Sequence, residues 1–206
     1  FSATKISWLL EDCKRFGTLP FAGLARCAFI ATQILQSLLA LNVFDNGDQG
    51  RFMGGLDTVS ARMARDLASL PLEDFLGRYG HLRPGTYEIT SPRYDEAPER
   101  YFDRSRRAAT SGSVSDFTLS ERQQRAIDAL LHEHGVDYDA HSLLQFIRTS
   151  IEAREEAKFV FTRSLSDALT LIRRIGAERG FDAEAMSFVA IGALLGPRSS
   201  LIDRLD

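Results

Sequence analysis

Apolar side chains recur at helical spacing from the start of this chain. Ile6, Leu9, Leu10, Cys13 and Phe16 share one face, which predicts a helix over residues 3–16 that Gly17 can close. Pro20 suits a first helical position, and from there Phe21, Leu24, Ala28, Ala31, Leu35 and Leu38 form a seam. Phe29, Ile30, Ile34 and Leu39 widen that seam nearly all the way round, so a buried central helix is predicted over 20–41. After the break "DNGDQG" at 45–50, Phe52, Leu56, Val59, Met63 and Leu67 predict a helix over 49–67, weakened by Gly54 and Gly55. Pro71 opens a short helix over 71–79 with Phe75, Leu76 and Tyr79, ended by Gly80. Thr118 or Ser120 can cap a helix over 119–133, Asp139 can cap a long one over 139–179, and a last helix is predicted over 182–195. The fold class expected is all-α: a single domain of about seven helices.

Periodicity fails from His81 to about Phe117. "YGHLRPGTYEITSPRYDE", Tyr79 to Glu96, concentrates a His, Arg, acids and Tyr around Pro84, Gly85 and Pro92. Irregular segments of this length in a compact domain are functional or disordered. The stretch 108–116 is small and polar, and mobility is expected there.

The long helix carries a second irregularity. Positions 147, 151, 154, 158, 161, 165, 168, 172 and 175 alternate steps of four and three, the period of a packed seam. All but two are apolar; the exceptions are Arg154 and Lys158. A cation on a packing stripe needs a partner, because an unpaired buried charge is very costly. Three arrangements are open: pairing with loop acids such as Glu88 or Asp95, facing a bound anion, or reaching out to water.

Composition narrows the function classes. The 206 residues are 44% hydrophobic and 26% charged, which is globular rather than disordered. A net charge of −3 argues against a general electrostatic grip on nucleic acid. The run Cys27–Leu41 is interrupted by Thr32, Gln33, Gln36 and Ser37, so no membrane partner is expected. Cys13 and Cys27 lie on apolar helix sides and read as buried free thiols, which fits a cytoplasmic setting. The opening "FSATKISW" and the closing "SSLIDRLD" suggest a piece of a longer polypeptide.

Common chemical motifs fail on their spacing. "DNGDQG" puts Gly47 at the third place of a calcium loop and Leu56 at the twelfth, where a bidentate Glu belongs. "GRFMGG" lacks the lysine of a phosphate loop. His132 and His134 are two apart and diverge on a helix, so no metal site is expected. His81 in "GHLRPG" reads as a helix-end or loop hydrogen-bonding residue before a proton carrier, and no catalytic residue is assigned.

With these stretches in view, "FLGRYGHLRPGTYEITSPRYDE" resembles the "GH-R-PGE-D/E-I…PRW" signature in the helical middle segment of phosphoenolpyruvate-synthase-like enzymes, rifampicin phosphotransferases included. "IEAREEAKF" and "GAERGFDAEAMSFVAIGAL" are similar to the same family's "RE-x-x-K" helix and closing helix–turn–helix. The matches cover roughly 72–96 and 148–195, in the family's order. Thr86 stands where the motif has an acid, moving the acidic place to Glu88, and Tyr94 replaces Trp. The resemblance implies an ATP-grasp domain and a swivelling phosphohistidine domain as partners in the same polypeptide, with ATP and Mg²⁺ as cofactors of the whole enzyme. It implies for this chain a helical acceptor-binding or linker domain, inactive alone, with no position matching the phosphohistidine motif. His81, Arg83, Arg93, Tyr94, Arg154 and Lys158 are its candidate substrate-binding residues, and Glu88 and Asp95 its candidate ion-pair acids. Arg suits such a centre because it grips carboxylate or phosphate by paired hydrogen bonds. The alternatives are a non-enzymatic helical interaction module, with the loop as recognition surface, and a small-molecule-binding helical domain.

Overall fold

The structure, a computed structural model, describes residues 3–102 and 117–195. Among them the chain is all-α, with no strand. The elements are α1 (Ala3–Asp12), a π-helical turn (Cys13–Thr18), α2 (Leu19–Ala40), α3 (Asn46–Gly54), α4 (Val59–Ser69), α5 (Leu72–Tyr79), α6 (Pro98–Tyr101), α7 (Glu121–Glu133), α8 (Ala140–Ala177), α9 (Ala183–Ser187) and α10 (Ile191–Leu195). There are thus more helices than the seven expected. The 49–67 helix divides into α3 and α4 around Gly55, where Thr58 restarts it by accepting from the Ala61 N–H at 3.2 Å. The expected 182–195 helix is two short ones. The segment 108–116 lies outside the described residues.

Gly17 does not close the first helix: the chain stays helical from Ala3 to Ala40. Pro20 supplies no N–H to the carbonyl of Phe16, and its ring crowds that carbonyl. The π turn loosens the backbone at this point, with the Leu19 N–H reaching back five residues to Lys14. Gly17 is required by packing instead, since a Cβ there would collide with the side chain of Phe161. By length and composition the run Thr4–Ala40 is apolar enough to cross a membrane, longer than the sequence reading allowed. Trp8, Phe16 and Phe29 are 70%, 78% and 63% exposed along it.

The residues group into two compact units. The first comprises residues 1–20, 66–107 and 158–206, the second 21–65 and 108–157. The second is a helix–helix core: Ala31, Leu35 and Leu38 of α2 meet Phe44, Phe52, Leu56, Ile127, Leu131, Leu143 and Ile147. Each fully buried Leu, Ile or Phe side chain among them contributes about 1.5–3 kcal/mol. Capping boxes at Asp45–Asp48 and Ser120–Gln123 start α3 and α7, and Gln123 also donates to Asp48 at 2.8 Å. Asp139 caps α8, as expected, by accepting from the Ser142 N–H at 2.7 Å. The first unit has a smaller cluster of Ile6, Ile89, Ala168, Leu171, Ile172, Ile175, Met186 and Leu194. Its Ile89 comes from the irregular segment rather than from a helix.

Candidate functional site

The irregular segment of the first unit is ordered through its bonds to α8. Leu82 and Tyr94 are joined by a backbone bond of 2.8 Å, and Asp95 donates to the Gly80 carbonyl at 3.1 Å, so the segment closes into a loop. Gly85 turns it with φ +60°, a conformation that glycine adopts without Cβ strain.

Arg83 holds this loop to α8. Its side chain is only 6% exposed, yet every nitrogen has a partner. Nε and Nη2 donate to the Ser166 hydroxyl at 3.3 and 3.2 Å. Nη2 also reaches the Ser166 carbonyl and the Thr170 hydroxyl, both at 3.2 Å. Nη1 bonds the carbonyls of Ser91 at 3.0 Å and Glu88 at 3.4 Å. Burial pulls the Arg83 pKa below its usual value, and Glu96 pulls it back up. Neutral oxygens thus saturate the whole guanidinium fork.

Arg93 adds an ionic anchor. Its side chain, 15% exposed, bonds Asp95 through Nε at 2.9 Å and Nη2 at 2.7 Å, and Asp167 of α8 through Nη1 at 2.6 Å. Burial opposes the charge, but bonds to Asp95 and Asp167 outweigh it, so the Arg93 pKa rises. Glu96 runs the other way, from the loop to Arg173 of α8. Burial opposes its charge too, yet the Arg93 N–H and Arg173 hold its carboxyl below the usual range.

His81 is 2% exposed. Its Nε2 lies 3.3 Å from the Phe159 carbonyl, which can only accept, so Nε2 carries the proton. Nδ1 is buried with no hydrogen-bond partner. Burial, followed by the nearby Arg163 charge, pushes the pKa down to about 4. The ring is neutral at pH 7 and packs on Phe159 with centroids 4.9 Å apart. Tyr94 belongs to an aromatic group with Tyr101 and Phe102, at 5.1 and 4.9 Å.

The structure therefore brings His81, Arg83, Arg93, Tyr94 and Asp95 into one loop-and-helix assembly. Arg154 and Lys158 are not its anchors. Arg154 belongs to the second unit, half-buried, with its guanidinium 5.8 Å from the Phe29 ring and its Nε unbonded. Among the described residues no carboxylate bridges it, and Lys158 is exposed. The expected acids are engaged elsewhere: Glu88 accepts from the Thr90 N–H and hydroxyl, and Asp95 from Arg93. The physical reason lies in the seam, which is two seams. Ile147 and Ile151 serve one apolar cluster and Ala168, Ile172 and Ile175 the other, leaving 154–158 in neither.

The anchors that sequence reasoning missed are Ser166, Asp167, Thr170 and Arg173. They fall at steps of one, three and three beside the apolar seam, a polar stripe on the same helix. That stripe was the available signal.

Two further concavities belong one to each unit. A groove of about 740 Å³ in the second unit has no Asp, Glu, Lys or Arg in its lining among the described residues; Cys27, Tyr138, His141 and Ser150 contribute to it. A pocket of about 470 Å³ in the first unit is walled by the loop, α8, α9 and α10. Both cysteines are free thiols; Cys13 is buried and Cys27 partly so. No group of three potential metal ligands occurs among the described residues.

Comparison with known families decides the affiliation: the profile of the rifampicin phosphotransferase fourth domain matches residues 28–158. The chain belongs to that family. The match takes in the whole GHLRPG loop and the first half of α8, and it agrees with the resemblance to phosphoenolpyruvate-utilising enzymes read from the loop. The curated proteins and the solved structures gave no match.

Proposed function

We infer that this chain is the helical acceptor-binding or linker domain of an ATP-dependent, phosphoenolpyruvate-synthase-like phosphotransferase. In that reading an ATP-grasp domain and a swivelling phosphohistidine domain of the same polypeptide supply ATP, Mg²⁺ and the phosphate carrier. The observation that carries it is the family match over a loop whose two arginines, Arg83 and Arg93, are already satisfied internally. Arg83 and Arg93 leave no paired donors open for a phosphate, and His81 is neutral and inaccessible. Such a centre supports a binding surface without itself carrying phosphate. The groove of the second unit suits the acceptor role, since its lining mixes apolar side chains with hydroxyl and amide groups that can bond a hydroxyl-bearing acceptor.

The test uses labelled ATP with Mg²⁺ and a panel of hydroxyl acceptors, rifampicin and pyruvate among them. The isolated chain is expected to show no turnover. The product of the complete reading frame is expected to label the acceptor. A complete reading frame without ATP-grasp and phosphohistidine sequences would sink the proposal. It would favour the alternative, a helical interaction module, which the exposed Trp8, Phe16 and Phe29 support.

A further inference from the structure

The pocket of the first unit has a consistent chemical character. Its floor is apolar, formed by Leu169 and Ile172 of α8 and Met186 of α9. Two carboxylates, Glu88 from the loop and Glu184 from α9, line it, and no Lys or Arg does so among the described residues. The Tyr87 ring, 68% exposed, stands beside Glu88 on the loop wall. That wall is fixed from behind: the Glu88 carbonyl takes a bond from Arg83, and Ile89 is buried in the apolar cluster. The Thr90 hydroxyl, and then its N–H, hold the Glu88 carboxyl below the usual range, so it is ionised at neutral pH.

We propose that this pocket binds a small organic cation, an ammonium group on an apolar body. An anion would meet two carboxylates. A bare metal ion would gain nothing from Leu169, Ile172 and Met186. An alkyl or aryl amine matches each part: its body covers the floor, and its ammonium lies between the carboxylates. Tyr87 lines the same pocket, and an aromatic ring attracts a cation. Because the wall is held before any ligand arrives, little ordering cost is added on binding. The site lies largely beyond residues 28–158, on α8, α9 and α10, and does not depend on the phosphotransferase reading.

The experiment is calorimetric titration of the 206-residue chain with tryptamine, phenethylamine and decyltrimethylammonium. Each is paired with a neutral analogue, the alcohol in place of the ammonium group, and with an anionic one, the carboxylate. At least one amine is expected to bind about tenfold more tightly than its neutral analogue, the scale of a charge-assisted bond. Its carboxylate analogue is expected not to bind, and added salt should weaken only the amine. Glu88→Gln and Glu184→Gln, both on exposed side chains and expected to leave thermal unfolding unchanged, should each remove most of that preference. If no amine outperforms its neutral analogue, or both Gln variants bind amines as well as the parent, the proposal is overturned. Either result stands apart from the phosphate-transfer assay, which needs the other domains.

Discussion

Two stretches of α8 receive the rest of the chain in opposite ways. Around Leu143 and Ile147 the partners are helices, and the contact is apolar. Around Ser166–Thr170 the partner is a loop with no regular secondary structure, and the contact is chiefly directional polar bonds. The difference follows from what each partner has already satisfied. A helix has paired its own backbone groups and needs only to bury a stripe. The loop arrives with free carbonyls at Glu88 and Ser91, and a buried carbonyl needs a donor. One arginine serves both carbonyls and two hydroxyls besides. Arg83, docked on α8 from the loop, and Arg154, a residue of α8 itself, therefore differ: one is fully bonded, the other lies half-buried over a ring.

The sharpest way to break this comparison is Arg83→Met. It leaves two loop carbonyls and two α8 hydroxyls without their donor, and a loss of about 3–5 kcal/mol is expected in urea unfolding. A loss under about 1 kcal/mol would show that Ile89 and the Arg93–Asp167 and Arg173–Glu96 pairs hold the loop without it.

Next comes pH. Unfolded His81 takes up its proton near pH 6.5, the folded ring only near 4. The unfolded state thus binds more protons between those values, and stability falls as pH drops from about 6.5 towards 4. About 2 kcal/mol should be lost between pH 7 and pH 5. Glu96, with its folded pKa depressed, contributes stability that is lost only at lower pH, as its own carboxylate is protonated. His81→Gln should flatten the upper part of the curve; an unchanged slope would assign it to another group.

Gly17→Ala tests whether the π turn is a packing device. Its new methyl must displace Phe161, and about 1–3 kcal/mol should be lost. The smallest effect is expected from Arg154→Met, within about 1 kcal/mol of the parent by thermal unfolding, because no ion pair is broken and the Met stem keeps the contact with Phe29. A loss matching that of Arg83→Met would erase the distinction between the two arginines.

Much of this was legible because it is local. Asp139, Ser120 and Gly80 mark helix ends by their own chemistry, and the apolar seam of α2 is visible at helical spacing. The loop's importance was legible as a density of polar residues between Pro turns, and so was its affiliation. Its partner was not. Arg154 and Lys158 interrupt a seam that looks continuous, and periodicity along one helix cannot reveal that the seam serves two clusters. Nor does a short hydroxyl such as Ser166 announce that it will receive a guanidinium 83 residues earlier in sequence. The unbroken helix through Gly17 and Pro20 was hidden for a different reason, since both residues ordinarily end helices.

The docked loop also makes the chain a graded target for proteolysis. Trypsin cuts after arginine, and this region offers Arg78, Arg83, Arg93 and Arg100 within a short span. Arg100 is exposed in a four-residue helix and is open to cleavage without any opening of the loop. Arg83 precedes proline, which trypsin does not cut. Arg93 is held by Asp95 and Asp167, so the protease must wait for the loop to lift off α8. The rate of cleavage between Arg93 and Tyr94 therefore reports the population of the state in which that loop has lifted off α8, short of global unfolding.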